Sequence, residues 1–279
     1  MTSSSGEALA PYHSPERLEA TARELAGRLG ARTVEYGASV QGRPLRAIGV
    51  PSSRPDAPRV LCSANIHGPE FIAAHVALGL LDALGPDGHA AALRERAEVW
   101  VIPCLNPDGY ARTWQADGEG PLPSLRPNAN GVDLNRNYPL PSGSPSWSPG
   151  AGSSRPGDAT YRGEAALIEP ETRHLDAFLR EQDFHASANL HSFMGTVIPA
   201  RVTRRDHFAT YKQLARALAD GQPRTRYRRL SNRIFDVFTG EQEDHQHHVH
   251  RTWAVCVESF PVRASFAQHL RSPSTFWRF

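Results

Sequence analysis

The chain has 279 residues, 39% of them hydrophobic and 22% charged, the balance of a globular protein long enough for one large α/β core. Its formal net charge of +2, with histidine neutral, argues against nucleic acid or an anionic membrane as partner. No stretch approaches the roughly 18 apolar residues that span a bilayer, and the first 19 residues lack a basic start followed by an apolar run, so a cytoplasmic location is expected.

Ser14 and Pro15 suit the cap and first position of a helix, Leu18, Ala22, Leu25, Ala26 and Leu29 repeat at helical spacing, and Gly30 stops the run. Segments 31–37 and 44–50 read as strands about a turn at Gln41-Gly42-Arg43-Pro44. Residues 58–65 read as a buried strand, 70–84 as a largely buried helix and 97–104 as another strand. The stretch 139–160, rich in Pro, Gly and Ser, reads as a long surface loop rather than a linker between domains. A helix is expected from Glu169-Pro170 to about Arg180, strands at 185–191 and 253–259, a helix near 207–219 between them, and a last helix at 264–270. The alternation predicts one α/β domain whose sheet is covered on both faces. The three cysteines, Cys62, Cys104 and Cys256, lie in apolar surroundings and read as buried free thiols.

Several residues carry potential chemistry. His67-Gly68-Pro69-Glu70 sits where a strand turns into an apolar helix; ligands three apart at such a turn can face one point, and histidine with carboxylate suits zinc, although H-x-x-E also arises by chance. A catalytic zinc site needs a third protein ligand, and His191, at a predicted strand end, is the candidate; a structural histidine is the alternative. Glu258 ends the apolar run 253–257, where a carboxylate is costly to bury unless paired, so it is either a salt-bridged structural residue or a general base beside a metal-activated water. Between 126 and 138, Arg126 and Arg136 are interleaved with Asn128, Asn130, Asn135 and Asn137, either a polar loop or a carboxylate cradle, since a guanidinium fork matches a carboxylate.

Taken in order, EYGASVQGRPL (35–45), HGPE (67–70), NPDGY (106–110), GVDLNRNYP (131–139), YRG (161–163), EPET (169–172), NLHSF (189–193) and VESFP (257–261) resemble the zinc metallocarboxypeptidases, the carboxypeptidase A-like family. The segment LRPNANGVDLNRNYP is also similar to the bacterial branch that includes murein peptide amidases. The resemblance implies a single domain with a mixed, twisted sheet of about eight strands and helices on both faces. It implies one Zn²⁺ per chain held by His67, Glu70 and His191, with Asp133 fixing the tautomer of His67. Arg126 would hold the oxyanion, Asn135 and Arg136 would grip the substrate's terminal carboxylate, and Glu258 would act as general base. The substrate would be a small peptide or acyl amino acid with a free carboxylate, cut at the neighbouring peptide or amide bond. An N-acyl amino acid deacylase of the aspartoacylase type and a non-catalytic binding protein of this fold are the alternatives.

The chain departs from the family pattern between Tyr227 and Glu258, where the mobile tyrosine of the digestive enzymes has no counterpart. A gapless count puts Glu243 or Asp244 near the family's side-chain pocket, favouring a cationic departing residue. The histidines at 245, 247, 248 and 250 are read as a polar, partly solvated loop in preference to a second metal site.

Overall fold

A computed structural model describes residues 9–141, 152–222, 227–229 and 240–261. In chain order the main elements are α1 (Pro15–Leu29), β1 (Arg32–Ala38), β2 (Pro44–Val50), β3 (Arg59–Ala64), α2 (Phe71–Ala83), β4 (Glu98–Ile102), α3 (Pro107–Gln115), α4 (Leu122–Leu125), α5 (Pro170–Gln182), β5 (Ala186–Phe193), β6 (Thr196–Pro199), α6 (Arg205–Asp220), β7 (Arg228–Arg229), α7 (Gln242–His248) and β8 (Trp253–Pro261). The ends of α1 follow the sequence rules. Ser14 accepts from the Arg17 N–H, and Gly30 takes the left-handed conformation that a side chain would disfavour.

The eight strands form one sheet in the order β1-β2-β4-β3-β5-β8-β6-β7. The four central strands, β4, β3, β5 and β8, run parallel, while β1, β2 and β6 pair antiparallel toward the edges. One face is covered by α1, α2 and α6, whose Leu18, Leu25, Phe71, Leu78 and Tyr211 pack with Val99, Val101, Val255 and Val257. On the other face α5 sets Leu175, Phe178 and Leu179 against Trp100, Ile102 and Ala47. Strands buried on both faces explain the continuous apolar runs at 58–65, 97–104 and 253–257.

Elements unread in the sequence are short or polar. In α3, Asn106 caps the helix by accepting from the Gly109 N–H at 2.8 Å and Pro107 occupies the first turn, a signal that was present in NPDGY. β6 and β7 span only four and two residues. Residues 242–248, expected as part of a solvated loop, instead form the helix α7, which is buried from Gln242 to His247 and exposed only at His248. Of the expected surface loop, 139–141 and 152–160 are described and contain no regular element beyond one bridge from Ser153 to Tyr161. The helix expected at 264–270 lies outside the described residues. Among the described residues no helix is long and apolar enough to cross a membrane.

Candidate active site

The parallel register sets the site at the carboxyl edge of the central strands, where open α/β sheets collect ligands. β3 ends at Ala64, and Asn65 takes φ +56°, a left-handed turn that asparagine tolerates better than most residues. Its side chain donates to the His67 carbonyl at 3.1 Å and its own carbonyl accepts from the Asn106 N–H at 3.0 Å, which fixes the start of the turn. Gly68 is then required by space: a Cβ there would lie 2.4 Å from the Leu125 carbonyl oxygen and 2.5 Å from that of Gly109. The turn delivers Glu70 to the head of α2, where it makes no capping hydrogen bond because its carboxylate faces two imidazoles.

His67 Nδ1 lies 2.8 Å from Glu70 Oε1, and His191 Nδ1 lies 3.2 Å from Glu70 Oε2. The two rings are 5.0 Å apart and all three residues are buried. On the far side His67 Nε2 stands 3.1 Å from Asp133 Oδ1, and Asp133 Oδ2 accepts from Arg126 Nε at 2.9 Å. An ionised Asp133 can only accept, so His67 donates from Nε2 and turns a bare lone pair at Nδ1 toward the Glu70 carboxylate. Lone pair against anion is repulsive unless a cation intervenes. Two imidazole nitrogens and a carboxylate, all within 4.8 Å, are the donor set of catalytic zinc, and the residues fit that ion.

The electrostatics agree. Positive charge on the imidazole side of Glu70, whether proton or ion, is what its ionisation needs: burial opposes it, but charge at His67 and His191 overcomes burial and holds the carboxyl well below the usual range. Burial likewise opposes the Asp133 charge, and Arg126 and His67 hold it low. Burial also works against protonated His191, yet Glu70, then Glu258 and Glu243, raise it to about 9. A proton with that affinity marks a place prepared for positive charge. Arg126 is kept firmly charged against burial by Asp133, Glu70 and Glu258.

β5 and β8 pair so that Glu258 lies directly opposite His191. Glu258 Oε2 accepts from the Phe193 N–H at 2.7 Å, and burial raises its carboxyl. Cys256, two residues earlier on the same strand face, belongs to this cluster, so its surroundings are more polar than the sequence suggested. Cys104 departs too: only partly buried, it donates Sγ–H to Asn65 Oδ1. Cys62 is a buried thiol, raised to about 12 by burial. All three are free.

The asparagine-rich stretch separates into two groups. Asn128 donates to Glu169 and Glu171, Asn130 donates to Glu169, and Asn137 accepts from Thr172 and donates to the carbonyls of Arg162 and Ala165. These three fasten the loop to the YRG and EPET segments, so they frame the site without facing it. Asn135 and Arg136 turn instead to α7: Asn135 Oδ1 accepts from the Gln242 N–H at 2.9 Å, and Arg136 Nη1 pairs with Glu241 at 3.0 Å. The pairing with Glu241 had no local signal, since the two residues are 105 apart in sequence.

Glu243 and Asp244 are both buried in α7. Glu243 accepts from Asn189 at 2.8 Å and Asp244 from the Arg201 N–H at 2.6 Å. Burial, reinforced by Glu241, raises both carboxyls. Glu243 Oε2 and Asp244 Oδ2 are buried without a hydrogen-bond partner among the described residues. The remainder of α7 is held by a polar ladder in which Gln242 donates to Ser63, and Gln246 to Ser187 while accepting from Asn189. These partners on β3 and β5 explain why the run is a buried helix where its composition suggested a solvated loop.

A three-layer α/β domain with a His₂Glu cluster at its parallel sheet edge is the architecture of a zinc hydrolase. The chain belongs to the zinc carboxypeptidase family, whose profile it matches over residues 18–265. It is 29% identical to human carboxypeptidase D over 263 residues, covering 76% of this chain but only 18% of that relative's length. Its fold resembles that of carboxypeptidase A from Helicoverpa armigera, with a TM-score of 0.77, 20% identity, and coverage of 91% of this chain and 66% of that one. The murein-tripeptide amidase of Escherichia coli aligns with a TM-score of 0.50 at 22% identity, covering 90% and 92% of the respective chains.

Proposed function

We propose that the chain hydrolyses a peptide or amide bond next to a free carboxylate, with one zinc ion held by His67, Glu70 and His191. The observation that carries this reading is the convergence at one sheet edge of the His₂Glu set, Glu258 opposite His191, and Arg126 tied through Asp133 to His67. When bound, zinc supplies Lewis acidity, which acidifies water and polarises a carbonyl. Glu258, raised by burial, is suited to take a proton from the attacking water and return it to the leaving amine. Arg126 remains charged and is steered by Asp133, a placement suited to holding the developing oxyanion. Asn135 and Arg136 would grip the terminal carboxylate of the substrate.

Arg136 pairs with Glu241, whose charge in turn bears on the buried Glu243 and Asp244 farther along α7. This combination suits a departing residue that carries both a carboxylate and a cationic group. A basic C-terminal residue and the amino-bearing end of a murein tripeptide meet that description. The test is incubation with mixed peptides, murein tripeptides and N-acyl amino acids, with products read by mass spectrometry and Glu258→Gln as matched blank. Release of one carboxylate-terminal residue by the wild type alone supports the reading, and cleavage confined to N-acyl amino acids moves it to a deacylase. Identical products from both proteins, with zinc present, would overturn it.

A further inference from the structure

Outside the catalytic cluster, a second set of two imidazoles and one carboxylate occurs where α5, α7 and the turn before β8 meet. His245 Nε2 lies 2.7 Å and His250 Nε2 2.9 Å from the same oxygen, Asp176 Oδ1. The three side chains are 2%, 5% and 11% exposed, and their ligating atoms all lie within 4.8 Å. Arg180 Nη2 holds the other oxygen of Asp176 at 2.7 Å, which turns Oδ1 toward the imidazoles. The two rings are 5.1 Å apart and nearly perpendicular, and His245 also lies against the Tyr138 ring at 5.2 Å.

We propose that Asp176, His245 and His250 form a second site for a divalent transition metal of the zinc class, clipping α7 and the start of β8 to α5. The catalytic cluster provides an internal standard. There too a carboxylate lies 2.8 and 3.2 Å from two imidazole nitrogens. Zinc bonds to nitrogen and oxygen are about 2.0–2.1 Å, so neighbouring ligands of a tetrahedral ion sit roughly 3.3–3.4 Å apart. The contacts of 2.7 and 2.9 Å at Asp176 would open by about half an ångström to admit the ion. An adjustment of that size lies within side-chain motion of His250, which stands in the turn before β8. The set is also geometrically suited to a clip. The ligands come from three chain segments, and 69 and 74 residues separate Asp176 from the two histidines, so an ion here would close long loops.

Without a metal, each histidine would simply donate its Nε2–H to Asp176, and the experiment must separate these cases. Full-length wild type, His250→Gln and Glu70→Gln are stripped with chelator, refilled from buffered zinc, dialysed and assayed by elemental analysis and native mass spectrometry. The expected stoichiometries are two ions for the wild type and one for each variant, and the double variant should bind none. Replacing zinc with cobalt should give two separable visible absorption spectra, of which His250→Gln removes one. Thermal unfolding of Glu70→Gln should still shift upward with added zinc. A wild type that binds no ion beyond the one Glu70→Gln removes, or a folded His250→Gln that binds as many ions as the wild type, would overturn the proposal. Because metal content is the readout, failure of this site leaves the catalytic reading untouched, and failure of hydrolysis leaves this site untouched.

Discussion

The turn at 67–70 and the helix α7 at 242–248 both bury histidine and carboxylate, yet they are built in opposite ways. In the turn, His67 and Glu70 meet each other within three residues, and a glycine and a left-handed asparagine set the backbone. In α7, the partners include Asn189, Ser63, Asp176, Arg201 and Tyr211, all 36 or more residues away. A buried polar group whose geometry is local leaves a readable mark in the sequence. One whose partners arrive through the sheet does not. The turn should therefore fail sharply when its backbone is touched, while α7 should respond in graded, environment-dependent ways.

The sharpest test of the turn is Gly68→Ala. The added Cβ would meet two backbone carbonyls at 2.4 and 2.5 Å, and neither can rotate away as a side chain would. Overpacking of this kind costs about 3 kcal/mol or more when backbone must shift. The variant should show a lower midpoint in urea unfolding and should lose zinc on dialysis. A midpoint equal to the wild type would mean that the turn is less constrained than its contacts imply.

Asp133→Asn comes next in size. The side chain can still accept from His67, but the charge that binds Arg126 and holds the Nε2 proton is lost. Removing such an outer partner typically weakens metal binding about 10- to 100-fold. Competition with a chromophoric chelator would measure it, and unchanged affinity would remove Asp133 from the metal's support.

The same contrast explains what could be read from the chain. The central strands were legible because β3, β4 and β8 are buried on both faces and so carry continuous apolar runs. Of the ten site residues singled out, His67, Glu70, His191, Asp133, Arg126 and Glu258 gather at one sheet edge, and Asn135, Arg136, Glu243 and Asp244 group at the head of α7. Asn128 and Asn137 look the same in the sequence as Asn135, and only their partners near Glu169 and Thr172 reveal their framing role. Glu241 carried no mark, because its ion-pair partner Arg136 lies 105 residues away.

That pair gives a smaller, directional effect. Glu241 occupies Nη1 of the arginine proposed to bind the substrate carboxylate, and its anion competes with the one arriving. Glu241→Gln should lower KM for a carboxylate-terminated substrate roughly fivefold, about 1 kcal/mol, with kcat little changed. A raised KM would instead make Glu241 part of the recognition of a cationic group.

The mildest effect concerns pH and α7. His247 is held near pKa 4, chiefly by burial and then by the neighbouring His248 and His207, while Tyr211 and His207 approach its two ring nitrogens. In the unfolded chain it would titrate near 6.5. Between those values the unfolded state binds the extra proton, so the contribution of His247 is complete above pH 6.5 and is lost as pH falls toward 4. Melting temperature should therefore drop across that window, and His247→Gln should make the drop shallower. It will not flatten it, because His75, lowered by burial to about 4, acts in the same direction. Equal slopes for the two proteins would show that α7 takes up the proton without strain, and the contrast with the turn would then rest on geometry alone.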